Sequence, residues 1–207
     1  MPTRLSTGYF DRMYAESEDP WQLGDRWYEQ RKYAITLALL PYRRYRHAFE
    51  PGCSIGVLTE QLTARCDHVT STDIASAALD ATHRRLVEAG RRPNVTLLRR
   101  SVDEPWPQAG FDLVVLSELC YYLHPEVLRD TLDREIPLLK PGTTVISAHW
   151  RHPVAEYPMT GAYATDVIAA TTGLHHLGGY RDADVIIEVF DTKSSMSVAA
   201  RTGLPGA

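Results

Sequence analysis

Two groups of residues in this 207-residue chain have types and spacings that could do chemistry. The first is Glu50-Pro51-Gly52-Cys53-Ser54-Ile55-Gly56-Val57, where small residues at alternate positions let the backbone approach a ligand and turn tightly into a helix. Asp73 stands 17 residues after Gly56. A carboxylate there can accept hydrogen bonds from both hydroxyls of a nucleoside ribose, or simply cap the next helix. The second group is Glu118, Tyr121 and Tyr122, followed by His149, Arg151 and His152. Histidine titrates near neutrality, so His149 is a candidate general base, with orientation of a loop as the alternative. Glu118 can bind an ammonium or hydroxyls or assist a base, and the two tyrosines offer aromatic faces to a cation or a sugar ring. The candidate catalytic set is therefore His149, Glu118 and Tyr122. Tyr121, Arg151 and His152 are candidate substrate contacts, with plain surface charge as the alternative for Arg151.

The elements that must position these residues follow from the hydrophobic pattern. To about Pro41 the chain reads as helix, with DRWYEQRKYAITLALLP at helical spacing and Asp19-Pro20 a turn or helix start. From His47, short apolar runs alternate with helical segments: HAFEPG, then VLTEQLTARC; HVTSTDI, then ASAALDATHRRLVEAG; VTLLRRS, then the turn-rich DEPWPQAG. FDLVVLSEL is apolar enough for a strand buried on both faces. PEVLRDTLDREIPLL predicts a helix, Pro141-Gly142 a turn, and TTVISAHW a fifth strand. Beyond Trp150, residues 161–172 suit a helix, DVIIEVFDT a strand, and MSVAART a short final strand that could pair with it. This alternation predicts βαβ units and a mainly parallel sheet. In such sheets ligands bind beyond the carboxyl ends of the strands, where both groups of residues fall.

Composition excludes several classes. A net charge of −4 argues against a dedicated nucleic-acid binder, and the short basic run PYRRYR reads as a solvated helix end. Cys53, Cys66 and Cys120 have neither CxxC nor zinc-ligand spacing and suit a reducing compartment, so no metal is expected. No apolar run reaches the roughly 20 residues that cross a bilayer, and the N-terminus lacks a secretion signal. The expectation is a cytoplasmic single domain over 1–207, monomer or homodimer, without membrane or nucleic-acid partners. His175-His176 is assigned no role.

A dinucleotide fingerprint would need a third glycine where Val57 stands, which disfavours a nicotinamide-dependent reductase. Glu50, Gly52 and Gly56 instead match motif I of the class I S-adenosylmethionine (SAM)-dependent methyltransferases, E-x-G-x-G-x-G, with Ser54 at the middle glycine. FDLVVLSELCYYL resembles the same family's motif IV, and LLKPG the turn before its fifth strand. That resemblance implies a Rossmann-like three-layer α/β/α sandwich, a mostly parallel seven-stranded sheet, and SAM as cofactor with S-adenosylhomocysteine (SAH) as product. It places Asp73 and Ile74 at the ribose, Ser101, Val102 and Asp103 beside the adenine, and Ser117 at the end of strand four.

DPWQLGDRWYEQRKYAITLALLP and AHWRHPVAEYPMTG are similar to one branch, the nodulation protein S family, over about residues 10–192. The resemblance implies an N-terminal helical lid, residues 1–45, over a core of residues 46–207. By position, Trp21 and Tyr28 would contact the cofactor, and Arg31 would pair with its methionyl carboxylate through a planar fork. The activity implied is N-methylation of an amino group on a sugar-like or other amino-bearing small molecule. O- or C-methylation of a secondary metabolite, and SAM binding without catalysis, remain as alternatives.

Overall fold

The computed structural model describes residues 3–108 and 110–206. The N-terminal stretch forms two helices, with the turn signal Asp19-Pro20 lying between them. Helix α1 (Thr7–Glu16) is capped by the Ser6 side chain, which accepts from the Tyr9 N–H, and α2 (Trp27–Leu39) ends just before Pro41. Between them the Asp19 carboxylate accepts from the N–H groups of Leu23 (2.9 Å) and Gly24 (3.0 Å), which stabilises a turn in place of helix.

The expected alternation follows: β1 (Tyr45–Pro51), α3 (Val57–Leu62), β2 (Cys66–Asp73), α4 (Ser76–Glu88), β3 (Val95–Arg99), β4 (Leu113–Ser117), α5 (Pro125–Glu135), β5 (Thr144–Trp150) and α6 (Gly161–Ala169). The chain closes with β6 (His175–Arg181), β7 (Val185–Asp191) and α7 (Val198–Arg201). The seven strands lie in the order β3-β2-β1-β4-β5-β7-β6. Strands β1 to β5 pair in parallel, whereas β7 runs antiparallel to both β5 and β6.

Both faces of the sheet are covered. On β4, Leu113 and Val115 join a core with Leu58, Leu62, Ala78 and Leu86 of α3 and α4. Val114 and Leu116 point the other way, to Leu128 and Leu132 of α5 and Ile168 of α6. This two-sided burial explains the continuous apolar run.

Three local expectations are corrected. Helix α3 stops at Leu62, and Cys66 already belongs to β2. Residues 196–202 form no strand: Ser197 accepts from the Ala200 N–H and caps α7. The hairpin partner of β7 is β6, which the sequence conceals because its run of histidines and glycines is mostly exposed and lacks alternation.

Candidate active site

The strand order reverses between β1 and β4, and beyond the carboxyl ends of the strands lies a cavity of about 380 Å³. Its floor is built from strand ends: Glu50, Gly52 and Ser54 after β1, Asp73 and Ile74 after β2, Ser101 and Val102 after β3, Ser117 and Glu118 after β4, and Trp150 of β5. Its roof is the N-terminal segment, through Phe10 and Tyr14 of α1, Trp21, and Tyr28, Glu29 and Lys32 of α2.

The loop after β1 is held in the left-handed region at Gly52 (φ 76°), Ser54 (φ 49°) and Gly56 (φ 77°). Serine at the middle position thus takes a backbone conformation that glycine adopts freely. The Ser54 hydroxyl is hydrogen-bonded to the Tyr14 hydroxyl at 2.6 Å, which ties the roof to the loop. Gly56 does not line the cavity; a Cβ there would meet Thr82 Cγ2 of α4 at 2.7 Å, so this glycine serves helix packing.

The carboxylate oxygens of Asp73 accept from the backbone N–H groups of Ser54 and Ala75, each at 3.0 Å. A carboxylate has about four acceptor positions, so capacity remains for two further donors from the cavity. Burial raises the Asp73 pKa, partly offset by the backbone donors. An acceptor of this kind, beside a loop without bulky side chains, suits the vicinal hydroxyls of an adenosine. Glu50 plays a different part. Its Oε2 accepts from Thr59 (2.6 Å) and Ser71 (2.8 Å), and burial pushes its pKa up to about 7. It therefore anchors the β1 turn from beneath.

At the other end of the cavity Glu118 is the hub. Its backbone is left-handed (φ 53°). Its Oε1 accepts from Lys32 Nζ at 2.7 Å, and its Oε2 accepts from the Tyr121 hydroxyl (2.5 Å) and the Trp150 N–H (2.9 Å). Burial raises the Glu118 pKa, but the Lys32 ammonium and these donors outweigh it and hold it below the usual range. Glu118 is thus ionised and well satisfied, a poor general base. Tyr121 and Tyr122 line the cavity with Tyr157, their rings 4.8–5.1 Å apart.

Besides Gly56, five candidate residues are not brought to the cavity. His149 is fully buried behind Tyr121 (ring centroids 5.6 Å), its Nδ1 3.2 Å from Thr165 Oγ1. Burial pushes its pKa down to about 4, because its strand position turns it toward α6. Arg31 lies on the outer side of α2, paired with Asp182 (2.8 Å) and Tyr180 near the hairpin. Arg151 donates to the Asp182 carbonyl, and His152 pairs with Asp184 (2.8 Å), so both hold the β6–β7 turn. Asp103 acts through others: it pairs with Arg4 (3.1 Å) and accepts from Ser101, which lines the cavity.

Sequence reasoning missed Tyr14, Glu29, Lys32, Trp150, Tyr157 and Arg26, all of which line the cavity. The available signal was helical spacing. Phe10 and Tyr14 are four residues apart on α1, and Glu29 and Lys32 three apart on α2, so each pair shares a face. Among the described residues no group of three or more His, Cys, Asp or Glu is placed to hold a metal ion. No described helix is long and apolar enough to cross a membrane.

A sheet of this order with β7 reversed, a left-handed loop after β1 and an aspartate closing β2 defines the Rossmann-like fold of the SAM-dependent methyltransferases. The chain belongs to the Nodulation protein S (NodS) family, whose model matches residues 10–173. Nodulation protein S of Rhizobium tropici is 30% identical over 128 residues, 61% of this chain. The match spans about half, 52%, of that relative's length. The crystal structure of the N-methyltransferase NodS from Bradyrhizobium japonicum WM9 with SAH superposes with a TM-score of 0.78 at 21% identity, covering 89% of this chain and 97% of that one. A crystal structure from Pseudomonas syringae, provisionally described as a methyltransferase, is 33% identical with a TM-score of 0.65, covering 80% and 99%.

Proposed function

We propose that this protein transfers a methyl group from SAM to the amino group of a small acceptor, a sugar-like or other amino-bearing metabolite. The observation that carries the reading is the charge at the β4–β5 end of the cavity. Glu29 and Glu118 set two carboxylates against the single ammonium of Lys32, among the rings of Tyr28, Tyr121 and Trp150. Such a site favours a cationic group, and amines are the common methyl acceptors that arrive as cations. The amine lone pair is itself the nucleophile once a proton is lost to water, so a chain whose His149 is buried away from the cavity and whose Glu118 is engaged needs no dedicated base. The NodS of Bradyrhizobium, an N-methyltransferase, supports the same choice.

Asp73 would hold the ribose, Ser54 and Gly52 the backbone face of the cofactor, and Ser101 and Val102 the adenine. SAM bound there supplies a methyl group already activated on a sulfonium, so the chain's task is alignment of the acceptor. Arg26 lines the cavity at the start of α2, and its guanidinium bonds only the Gln22 side chain among the described residues (3.0 Å). That position supports for Arg26 the role at the methionyl carboxylate that Arg31 was expected to fill.

The test has two stages. Calorimetric titration with SAH, with NADH as control, should give binding of SAH alone at about micromolar Kd. Incubation with SAM and a panel of amino sugars, alkyl amines and matched alcohols, followed by mass spectrometry, should add one methyl to amines. Methylation of the alcohols and not the amines would reject the N-methyl reading. SAH binding without transfer to any class would favour a non-catalytic SAM-binding role.

A further inference from the structure

The least ordinary group in the cavity wall is a lysine. Lys32 is 1% exposed, yet it carries an ammonium into the interior from the middle of α2. Burial of an unpaired ammonium is costly, so what surrounds it shows what it is for. It is ion-paired with Glu29 Oε2 and Glu118 Oε1, each at 2.7 Å, and donates a hydrogen bond to the latter. Its remaining side faces the rings of Tyr28 (5.2 Å) and Tyr33 (5.3 Å). The hydrogen bond that Lys32 donates goes to Glu118, so the lysine acts on that carboxylate.

What Glu118 does next is visible in the sheet. In a parallel ladder each residue donates and accepts on the same side, so once the Glu118 N–H donates to the Ala148 carbonyl (2.8 Å), the Trp150 N–H should go to the Glu118 carbonyl. The left-handed backbone at Glu118 ends the ladder one step early. The Trp150 N–H donates to the carboxylate Oε2 at 2.9 Å, the same oxygen that accepts from Tyr121. A side chain thus completes the β4–β5 ladder, and a lysine from the roof fixes that side chain.

We propose that Lys32 is a positioning residue for the methyl acceptor: it orients Glu118, which in turn holds Tyr121 and the end of β5 at Trp150. This rests on the methyl-transfer reading above but makes a prediction independent of it. Without Lys32 the carboxylate would be buried beside Glu29 with its main counter-charge gone, and it would have to turn or take a proton. In either case its grip on Trp150 and Tyr121 weakens. Among the described residues the adenosine end of the cavity, built on Asp73 and the β1 loop, shares no hydrogen bond with this chain of contacts.

The experiment compares wild type with K32M and K32R. Backbone amide exchange should be at least about tenfold faster at Trp150 in K32M, with Val145 and Ile146 of the same strand unchanged. For each variant, kcat for an amine acceptor is expressed per SAH-binding site from calorimetry, which corrects for any unfolded fraction. K32M should lose about tenfold or more in that kcat, with the SAH Kd within about twofold and most of kcat restored in K32R. If K32M does not fold, E118Q takes its place with the same expectations for Trp150 exchange and kcat. Unchanged exchange at Trp150, or an unchanged kcat per SAH-binding site, overturns the assignment of Lys32. A wild type that binds SAH but methylates no amine defeats the functional reading instead, and the exchange data then decide Lys32 alone.

Discussion

Replacing His149 with glutamine tests whether its imidazole belongs to the core or to the reaction. The side chain is completely buried, and burial pushes its pKa down to about 4 from the ordinary 6.5. Between those two values the unfolded chain binds a proton that the native protein refuses. Stability from this group is therefore complete above pH 6.5, falls as the pH drops toward about 4, and levels off below. At about 1.4 kcal/mol per pH unit, the gap amounts to about 3 kcal/mol. Glu50 acts in the opposite sense. Its pKa is raised from 4.5 to about 7, so its contribution is complete below 4.5 and is lost as the pH rises through about 7. Comparing H149Q with wild type cancels that contribution. In urea unfolding followed by circular dichroism, H149Q should be the less stable protein at about pH 7, through lost packing. Its deficit should shrink by about 3 kcal/mol as the pH approaches about 4. Stability curves that stay parallel would refute the reasoning, as would a variant whose turnover vanishes while its pH-dependent stability matches wild type.

Three further outcomes are expected. D73N should weaken SAH binding about tenfold or more, because an amide offers one acceptor oxygen where the ribose needs two; in wild type, affinity should fall in acid as the raised carboxylate takes up a proton, and calorimetry across pH checks both. Y14F removes the hydroxyl bonded to Ser54 and should cost about threefold to tenfold in SAH affinity, with melting temperature little changed, as scanning fluorimetry can show. R26A should weaken SAH binding about tenfold while R31A leaves it within about twofold, since Arg31 is already committed to Asp182; equal effects would reject the exchange of roles.

The parallel core was legible because β4 and its neighbours are buried on both faces and so written in unbroken apolar runs. The hairpin was not, because β6 draws its stability from backbone pairing with β7, which leaves no mark on side-chain pattern. For the site, the loop after β1 and Asp73 could be read directly, since backbone approach and a terminal carboxylate demand particular residue types at fixed spacing. His149 misled for a reason of register. A residue at the end of a buried strand faces one side or the other, and alternation from Ala148 in one core places His149 on the opposite face, against Thr165 of α6. Lys32 was hidden by habit: a lysine within a Glu–Lys helical spacing normally marks a solvated face. Only the fold discloses that this face is turned inward onto Glu118.

The edge of the sheet at β6 has a consequence of its own. Among the described residues strand β6 pairs with β7 alone, and an open row of backbone donors and acceptors is a template on which a strand of another molecule can add. Here the register slips between His176 and Gly178, so the row is broken at its middle. A bulge at that point increases the local twist and leaves two short, misaligned halves in place of one straight track. An incoming strand in register with one half would be out of register with the other, and the irregularity that makes β6 hard to read in the sequence also protects the protein from stacking on itself.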